Sequence, residues 1–390
     1  MKLKKVMSVL LASAVMLGAL TGCGGDKKEA KKADTVKVGV FLPLTGDNAA
    51  GGELELRGVK LAHKLHPEVL GKKVELVVAD NKSDKAESAS VAARLIEKDK
   101  VCALIGTYGS SLAMAAGNIV KEAKVPAIGT SCTNPQVTAD CDVYFRLAFL
   151  DPFQGTVLAN YAYNELGVDT AYTLAMLGSD YDQGLVHYFT EAFTALGGTV
   201  KNEDFPEGNS NFVSYINNAK ADGAGVIFAP VSTNYAQLII EAAGAQGYEG
   251  ALLGSDTWDN NMVLESAQGK AVDVKITTFY QESGSDFDTG IKEWINANAD
   301  AKTNNGGNDM VAAVSAMGYD AYYVALEALK AAGSVDPAAV QAALPSINYT
   351  GVTGVITFND IGDANRDTAY IKKVNTETGA WDFVAEQGVN

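Results

Sequence analysis

Val101-Cys102-Ala103-Leu104-Ile105-Gly106-Thr107-Tyr108-Gly109-Ser110-Ser111 runs from five apolar residues through a glycine-bracketed turn into a stretch with helical spacing. The apolar run has the length of a buried strand, and hydroxyl residues after the turn suit a helix start. A strand that hands the chain directly to a helix is the repeating unit of parallel α/β architecture. A second copy of the pattern lies downstream, where 127–129 leads into Thr130-Ser131-Cys132-Thr133-Asn134-Pro135.

Outward from these two units the same alternation continues. Strands are expected at 36–42, 74–79, 101–105, 127–129, 144–148, 171–176, 226–229, 251–254 and 276–280, all short and β-rich. Between them, sets such as Ala86-Ala89-Ala93-Ile96 and Leu238-Ile239-Ala242-Ala243 place apolar residues on one helix face. Asp84 is expected to cap one helix, and Asp151-Pro152 and Asp336-Pro337 place proline at first helical positions. After Tyr280 the pattern changes to helices at 286–297, 310–332 and 337–344, then strands at 352–358 and 370–374. That tail is too small for a third domain and is expected to return to two existing lobes.

The N-terminus reads as an address. Lys2, Lys4 and Lys5 precede an uncharged apolar run over 6–20, shorter than the roughly 20 residues a membrane helix needs. It ends in Leu20-Thr21-Gly22-Cys23, which resembles a bacterial lipobox. The expectation is a signal peptide over 1–22, lipidation of Cys23 and a charged, solvated tether over 23–34. Cleavage there would remove three lysines and no acid, taking 31 basic residues to 28 against 47 acidic ones, a net charge of −19 rather than −16. Such acidity disfavours nucleic acid as a partner. About 355 residues remain, more than one hydrophobic core usually supports, so two lobes are expected. Of the other cysteines, Cys102 reads as a buried strand residue, whereas Cys132 and Cys141 either bridge a short loop or stay reduced.

Signatures of catalysis are missing: there is no Gly-x-Ser-x-Gly, no phosphate loop, no Gly-x-Gly-x-x-Gly and no His-Glu-x-x-His. His63 and His66 read as solvated helix residues rather than metal ligands. The chain is therefore expected to be no enzyme and to carry no cofactor and no metal. Its two hydroxyl-rich turns, each at the carboxyl end of a strand, offer O–H and N–H groups beside a helix start. That arrangement suits a carboxylate. Taken singly, each turn is better explained as ordinary turn chemistry with capping serines than as a site.

As a set, 38–40 with Pro43-Leu44-Thr45-Gly46, the loop holding Ser110-Ser111, Thr133-Asn134-Pro135, Phe145-Arg146 with Asp151-Pro152-Phe153-Gln154-Gly155, and Tyr181 with Gly184 resemble the Leu/Ile/Val-binding family of importer receptors. The resemblance implies a periplasmic-binding-protein type I fold, in which two Rossmann-like lobes joined by a three-crossover hinge close on an amino acid. Lobe 1 would comprise 35–150 with 282–366, and lobe 2 would comprise 151–281 with 367–390. Ser110 and Thr133, with N–H groups near Ser111 and Ser131, would hold the α-carboxylate, Asp256 would pair with the α-ammonium, and Tyr181 would close over the ligand. The implied partners are an ABC permease with its ATPase subunits, for a monomeric receptor tethered outside the cell membrane. A sensing receptor of the same fold is the alternative, and an extracellular α/β enzyme is a more distant one. Two departures, Asn48-Ala49-Ala50-Gly51-Gly52 and Val231-Ser232-Thr233, put small residues where the family often has aromatics. They imply a roomier pocket that takes an aromatic or larger side chain.

Overall fold

The computed structural model describes residues 35–389. The expected leader, Cys23 and the tether lie outside the described residues. Strands β1 (Val36–Leu42), β2 (Glu68–Val69), β3 (Lys72–Asp80), β4 (Ala103–Ile105), β5 (Ala127–Gly129) and β6 (Tyr144–Arg146) form one sheet, ordered β2-β3-β1-β4-β5-β6. Its pairings are parallel apart from the β2/β3 hairpin. Strands β7 (Thr170–Met176), β8 (Thr199–Phe205), β9 (Val226–Phe228), β10 (Ala251–Gly254) and β11 (Asp273–Thr278) follow. Next come a small hairpin of β12 (Tyr349–Gly351) and β13 (Gly354–Ile356), then β14 (Ala369–Asn375) and β15 (Ala380–Gln387). The second sheet runs β15-β14-β11-β10-β9-β7-β8, parallel from β8 to β11 and antiparallel at β14 and β15.

β4 and β5 are only three residues long and wholly buried, because helices cover both faces of the sheet and leave no side for polar residues. Each sheet reverses its strand order beside its first strand. β1 lies between β3 and β4, and β7 lies between β8 and β9. At such switch points the loops leaving the carboxyl ends of the strands splay apart and open a crevice.

Helices Ala49–Leu65 and Ala313–Ala332 lie at backbone contact in the first lobe. A Cβ on Gly58 would stand 1.8 Å from the Ser315 carbonyl oxygen, and one on Gly318 would stand 2.2 Å from the Glu55 carbonyl oxygen. Only glycine fits at these crossings, and the Ser315 hydroxyl donates to the Leu54 carbonyl at 2.7 Å. The second helix thus returns to the first lobe, after which β14 pairs with β11 in the second. The chain passes between lobes three times.

Arg146, fully buried, donates from Nε to Asp363 Oδ1 at 2.6 Å. Its guanidinium also donates to the Asn134 carbonyl and to Thr138 Oγ1. It thereby fixes the loop that follows β5.

The structure departs from expectation in the tail and at the sheet edges. Residues 352–358 are not one strand, because Gly354 at φ +95° turns the chain between β12 and β13. β2, β8 and β15 were not anticipated: β2 has only two residues, and β8 and β15 are sheet edges whose residues are mostly exposed. Of the two alternatives for Cys132 and Cys141 the structure has the free thiols, and Cys102 is buried as expected, one residue before β4. Among the described residues no helix is long and apolar enough to cross a membrane, and no group of His, Cys, Asp and Glu is placed to hold a metal ion.

Candidate ligand-binding site

A cavity of about 320 Å³ lies where loops from both sheets meet. The first lobe supplies Tyr108, Ser110 and Ser111 after β4 and Ser131 after β5. The second supplies 176–179 at the end of β7, Tyr181 and Asp182 on the following helix, Ser232 after β9 and Asp256 after β10. Five of the six residues singled out in the sequence, Ser110, Ser111, Ser131, Tyr181 and Asp256, line this one space. Thr133 is not in the lining. It is fully buried behind Ser110, and its N–H donates to Ser110 Oγ.

On the first-lobe side, Ser110 Oγ accepts N–H groups from Thr133 and Asn134, both at 3.1 Å. One hydroxyl thus ties two loops together, with its lone pairs occupied and its proton still to give. The helix Ser110–Ala123 begins here, so its first N–H groups have no partner within the helix and carry partial positive charge. Ser111 is engaged differently. Its Oγ accepts the Asp180 N–H at 3.0 Å, a contact made across the cleft.

On the second-lobe side, Asp256 sits in a 3-10 turn, 2% exposed. Its Oδ1 accepts from Tyr181 O–H at 2.8 Å and from Gln154 Nε2 at 3.0 Å. Gln154 Nε2 also reaches Thr277 Oγ1 at 2.7 Å, and Tyr181 also reaches Ser255 Oγ at 2.8 Å. Oδ1 is therefore saturated, and Oδ2 is left for a cation. Burial lifts the Asp256 carboxyl to about 6, against the hydrogen bonds from Tyr181 and Gln154 that hold it down.

Asp182 lines the same cavity, and buried Asp151 lies outside the lining but within the field of Asp256. Burial raises Asp182 to about 7, although Ser179 O–H and Met176 N–H donate to it, and raises Asp151 to about 8. Neither Asp151 oxygen has a hydrogen-bond partner among the described residues. Lys85 is the one cationic side chain in the lining, and it is bonded to Asp180 Oδ2 at 2.8 Å and the Gly178 carbonyl at 3.2 Å. The cavity thus favours a positive group near Asp256, and donors for a negative group stand on the opposite lobe.

Three contributors escaped the sequence reading. Gln154 is a plain helical glutamine until folding sets it beside Asp256. Glu55 is fully buried and accepts from Thr130 Oγ1 at 2.6 Å and from Ser131 Oγ, although nothing in Glu53-Leu54-Glu55-Leu56 separates it from exposed Glu53. Tyr108 fills the space above Gly51, where a Cβ would come within 2.3 Å of its ring. The bulk missing at Gly51 is thus restored from another loop. A small residue paired with an aromatic one elsewhere was the available signal, but it is readable only once the contact is known.

A family model described as periplasmic binding protein matches residues 35–380. An amino acid binding protein of Pseudomonas aeruginosa is 33% identical over 203 residues, which cover 50% of this chain and only 53% of that protein. Leu/Ile/Val-binding protein homolog 1 of Brucella melitensis is 28% identical over 365 residues, covering 92% of this chain and 94% of that one. Among solved structures, a leucine-binding protein of Thermotoga maritima is 34% identical with a TM-score of 0.81, covering 90% of this chain and 99% of that one.

Proposed function

The chain belongs to the periplasmic binding protein family, in its branched-chain amino acid (Leu/Ile/Val-binding) group, and from that premise we propose that it captures a free α-amino acid between its lobes for an ATP-binding-cassette importer. Membership makes it a substrate-binding protein rather than an enzyme. The observation that carries the ligand class is that buried Asp256, whose side-chain donors both take Oδ1, and Ser110, from the other lobe, line one cavity. The α-ammonium is assigned to Asp256, and the α-carboxylate to Ser110 O–H and the N–H groups at the helix start. Thr133 acts by holding Ser110. Ser111 latches the closed lobes. The side chain points toward Tyr108, Met176, Leu177 and Tyr235.

The relatives' names favour hydrophobic amino acids, and the lining mixes aromatic, aliphatic and hydroxyl groups, so larger and aromatic side chains belong in the test. The hinge is assigned to three crossings near 150, 281 and 366. A cleaved leader over 1–22, lipidation at Cys23 and a monomeric, membrane-tethered receptor complete the proposal, supported by the lysine-led apolar run and Leu20-Thr21-Gly22-Cys23.

A thermal-shift panel of free amino acids, with benzoate and leucinamide as controls lacking one charged head group each, tests the ligand class. Stabilisation by one or more α-amino acids and by neither control is expected. Equal stabilisation by benzoate would remove the ammonium from the recognition, and a panel with no stabilising amino acid would sink the proposal. Mass spectrometry of small molecules released on denaturing the purified protein identifies the ligand unchanged.

A further inference from the structure

We propose that Glu55 serves the carboxylate half of the site as a protonated acid, donating to Ser131 Oγ so that the Ser131 hydroxyl turns its own proton to the ligand. This rests on the amino-acid reading above and adds to it a residue that never touches the ligand.

Glu55 lies on the first-lobe helix pinned by Gly58 and Gly318, so its position is set by backbone contact with the helix Ala313–Ala332 rather than by side-chain freedom. The residue is 0% exposed, and the charged group that acts on it is Asp256, not a cation. Its two oxygens meet two hydroxyls, Thr130 Oγ1 on Oε2 and Ser131 Oγ on Oε1. Ser131 is the link, because it also lines the cavity.

A hydroxyl has one proton. If Glu55 is ionised, both hydroxyls must give theirs to it, and Ser131 offers an incoming carboxylate only lone pairs. If Glu55 is neutral, the roles divide: one oxygen accepts from Thr130, the acid O–H donates to Ser131 Oγ, and the Ser131 proton is released into the cavity. Only the second arrangement adds a donor beside Ser110 O–H.

The surroundings favour the neutral form. The titratable groups whose fields reach Glu55 are Asp256 across the cavity, Tyr108 in the loop after β4, Cys132 beside Ser131, and Tyr144 on β6. None is a cation. On Glu55's own helix, Arg57 donates to Asn305. On the neighbouring helices, Asp320 is held by Val352 and Thr353, and Asp288 by Tyr280, Ser283 and Ser285. A buried carboxylate with no partner cation gives up its charge before it gives up its burial. Consistent with this, burial carries the Glu55 carboxyl up to about 8.

The test has two arms. In the ligand-free protein, the infrared difference between wild type and Glu55→Gln near neutral pH should contain the carbonyl stretch of a protonated carboxylic acid, lost as the pH is raised past about 8. Binding of L-leucine and L-phenylalanine is then measured by calorimetry from about pH 6 to pH 9 in wild type, Glu55→Gln and Glu55→Ala. The glutamine amide can donate to Ser131 while its carbonyl accepts from Thr130.

Wild-type affinity should therefore fall up to about tenfold more than that of Glu55→Gln over this range, because the glutamine cannot ionise. Glu55→Ala should bind more weakly near pH 7, with Glu55→Gln recovering most of the loss. Parallel pH profiles in wild type and Glu55→Gln, or no protonated-acid band, would overturn the proposal. If neither amino acid binds any of the three proteins, the amino-acid reading fails instead, and the infrared band alone decides whether Glu55 is protonated.

Discussion

The two faces of the cleft are built in different ways. On the first lobe, one hydroxyl, Ser110, gathers the N–H groups of Thr133 and Asn134 within loops that leave adjacent strands of one sheet. On the second, Asp256 is oriented by Tyr181 from the helix after β7 and by Gln154 from the helix that follows the first lobe crossing. The donor face is assembled within one lobe. The acceptor face depends on the crossing segment, so the two faces should fail differently when cut.

Asp256→Ala makes the largest expected break. Removing one partner of a buried charge pair costs about 3–5 kcal/mol, or a hundredfold or more in affinity. Tyr181 keeps Ser255 and Gln154 keeps Thr277 after the substitution, so little is orphaned in the ligand-free protein. Calorimetry should record the lost affinity and a melt without ligand should record almost no change. A large fall in the ligand-free melting temperature would mean that Asp256 is a structural acid.

Ser110→Ala should do the reverse in part. It strands two buried N–H groups, each costing about 1–3 kcal/mol, and removes one donor to the ligand. Affinity should drop roughly tenfold, and the ligand-free protein should melt several degrees lower. If stability holds while affinity falls, Ser110 is not the brace between the two loops.

How much of this could be read beforehand follows from the same contrast. The placement of the turns after β4 and β5 at the cavity was legible because the features that mark them are local: strand end, glycine, hydroxyls, helix start. Most sheet strands were legible for a similar reason, as apolar runs buried on both faces. β8 and β15 were not, since an edge strand such as Thr199–Phe205 alternates weakly and is stabilised by pairing that no window of sequence contains. Gln154, Glu55 and Tyr108 were missed because burial beside the site is a tertiary fact. The missing aromatic at Gly51 was read as empty space, whereas folding brings Tyr108 into it.

The buried acids on both sides of the cleft also leave a mark on stability. Glu55 and Asp151 are raised by burial to about 8, and Asp182 to about 7. Between the ordinary carboxylate range and these values, the unfolded chain is ionised where the folded one is not, so unfolding releases protons and stability falls as pH rises. Asp80, Asp273 and Asp288 are lowered and work in the opposite sense, but only at pH below that ordinary range. The ligand-free melting temperature should thus decline from about pH 6 to pH 8.5, and Asp151→Asn should recover part of the loss at the upper end. A flat melting curve across that interval would show these acids ionised in the folded protein.

The smallest effect belongs to the contact that looks most like a latch. Lys85 and Asp180 meet across the cleft at 2.8 Å, but their side chains are 51% and 48% exposed. Exposed pairs contribute about 0.2–1 kcal/mol and are screened by salt, so Lys85→Ala should weaken binding less than about fivefold, and less still at high ionic strength. Asp180 remains held through its backbone, its N–H to Ser111 Oγ and its carbonyl from Asn134 Nδ2 at 2.9 Å. These contacts involve no net charge and are anchored on the backbone, so they should carry closure. Ser111→Ala is therefore expected to raise the ligand dissociation rate more than Lys85→Ala does, with a difference that survives added salt. The opposite ranking in stopped-flow release would place the latch in the ion pair, and would make the join between the donor and acceptor faces electrostatic rather than hydrogen-bonded.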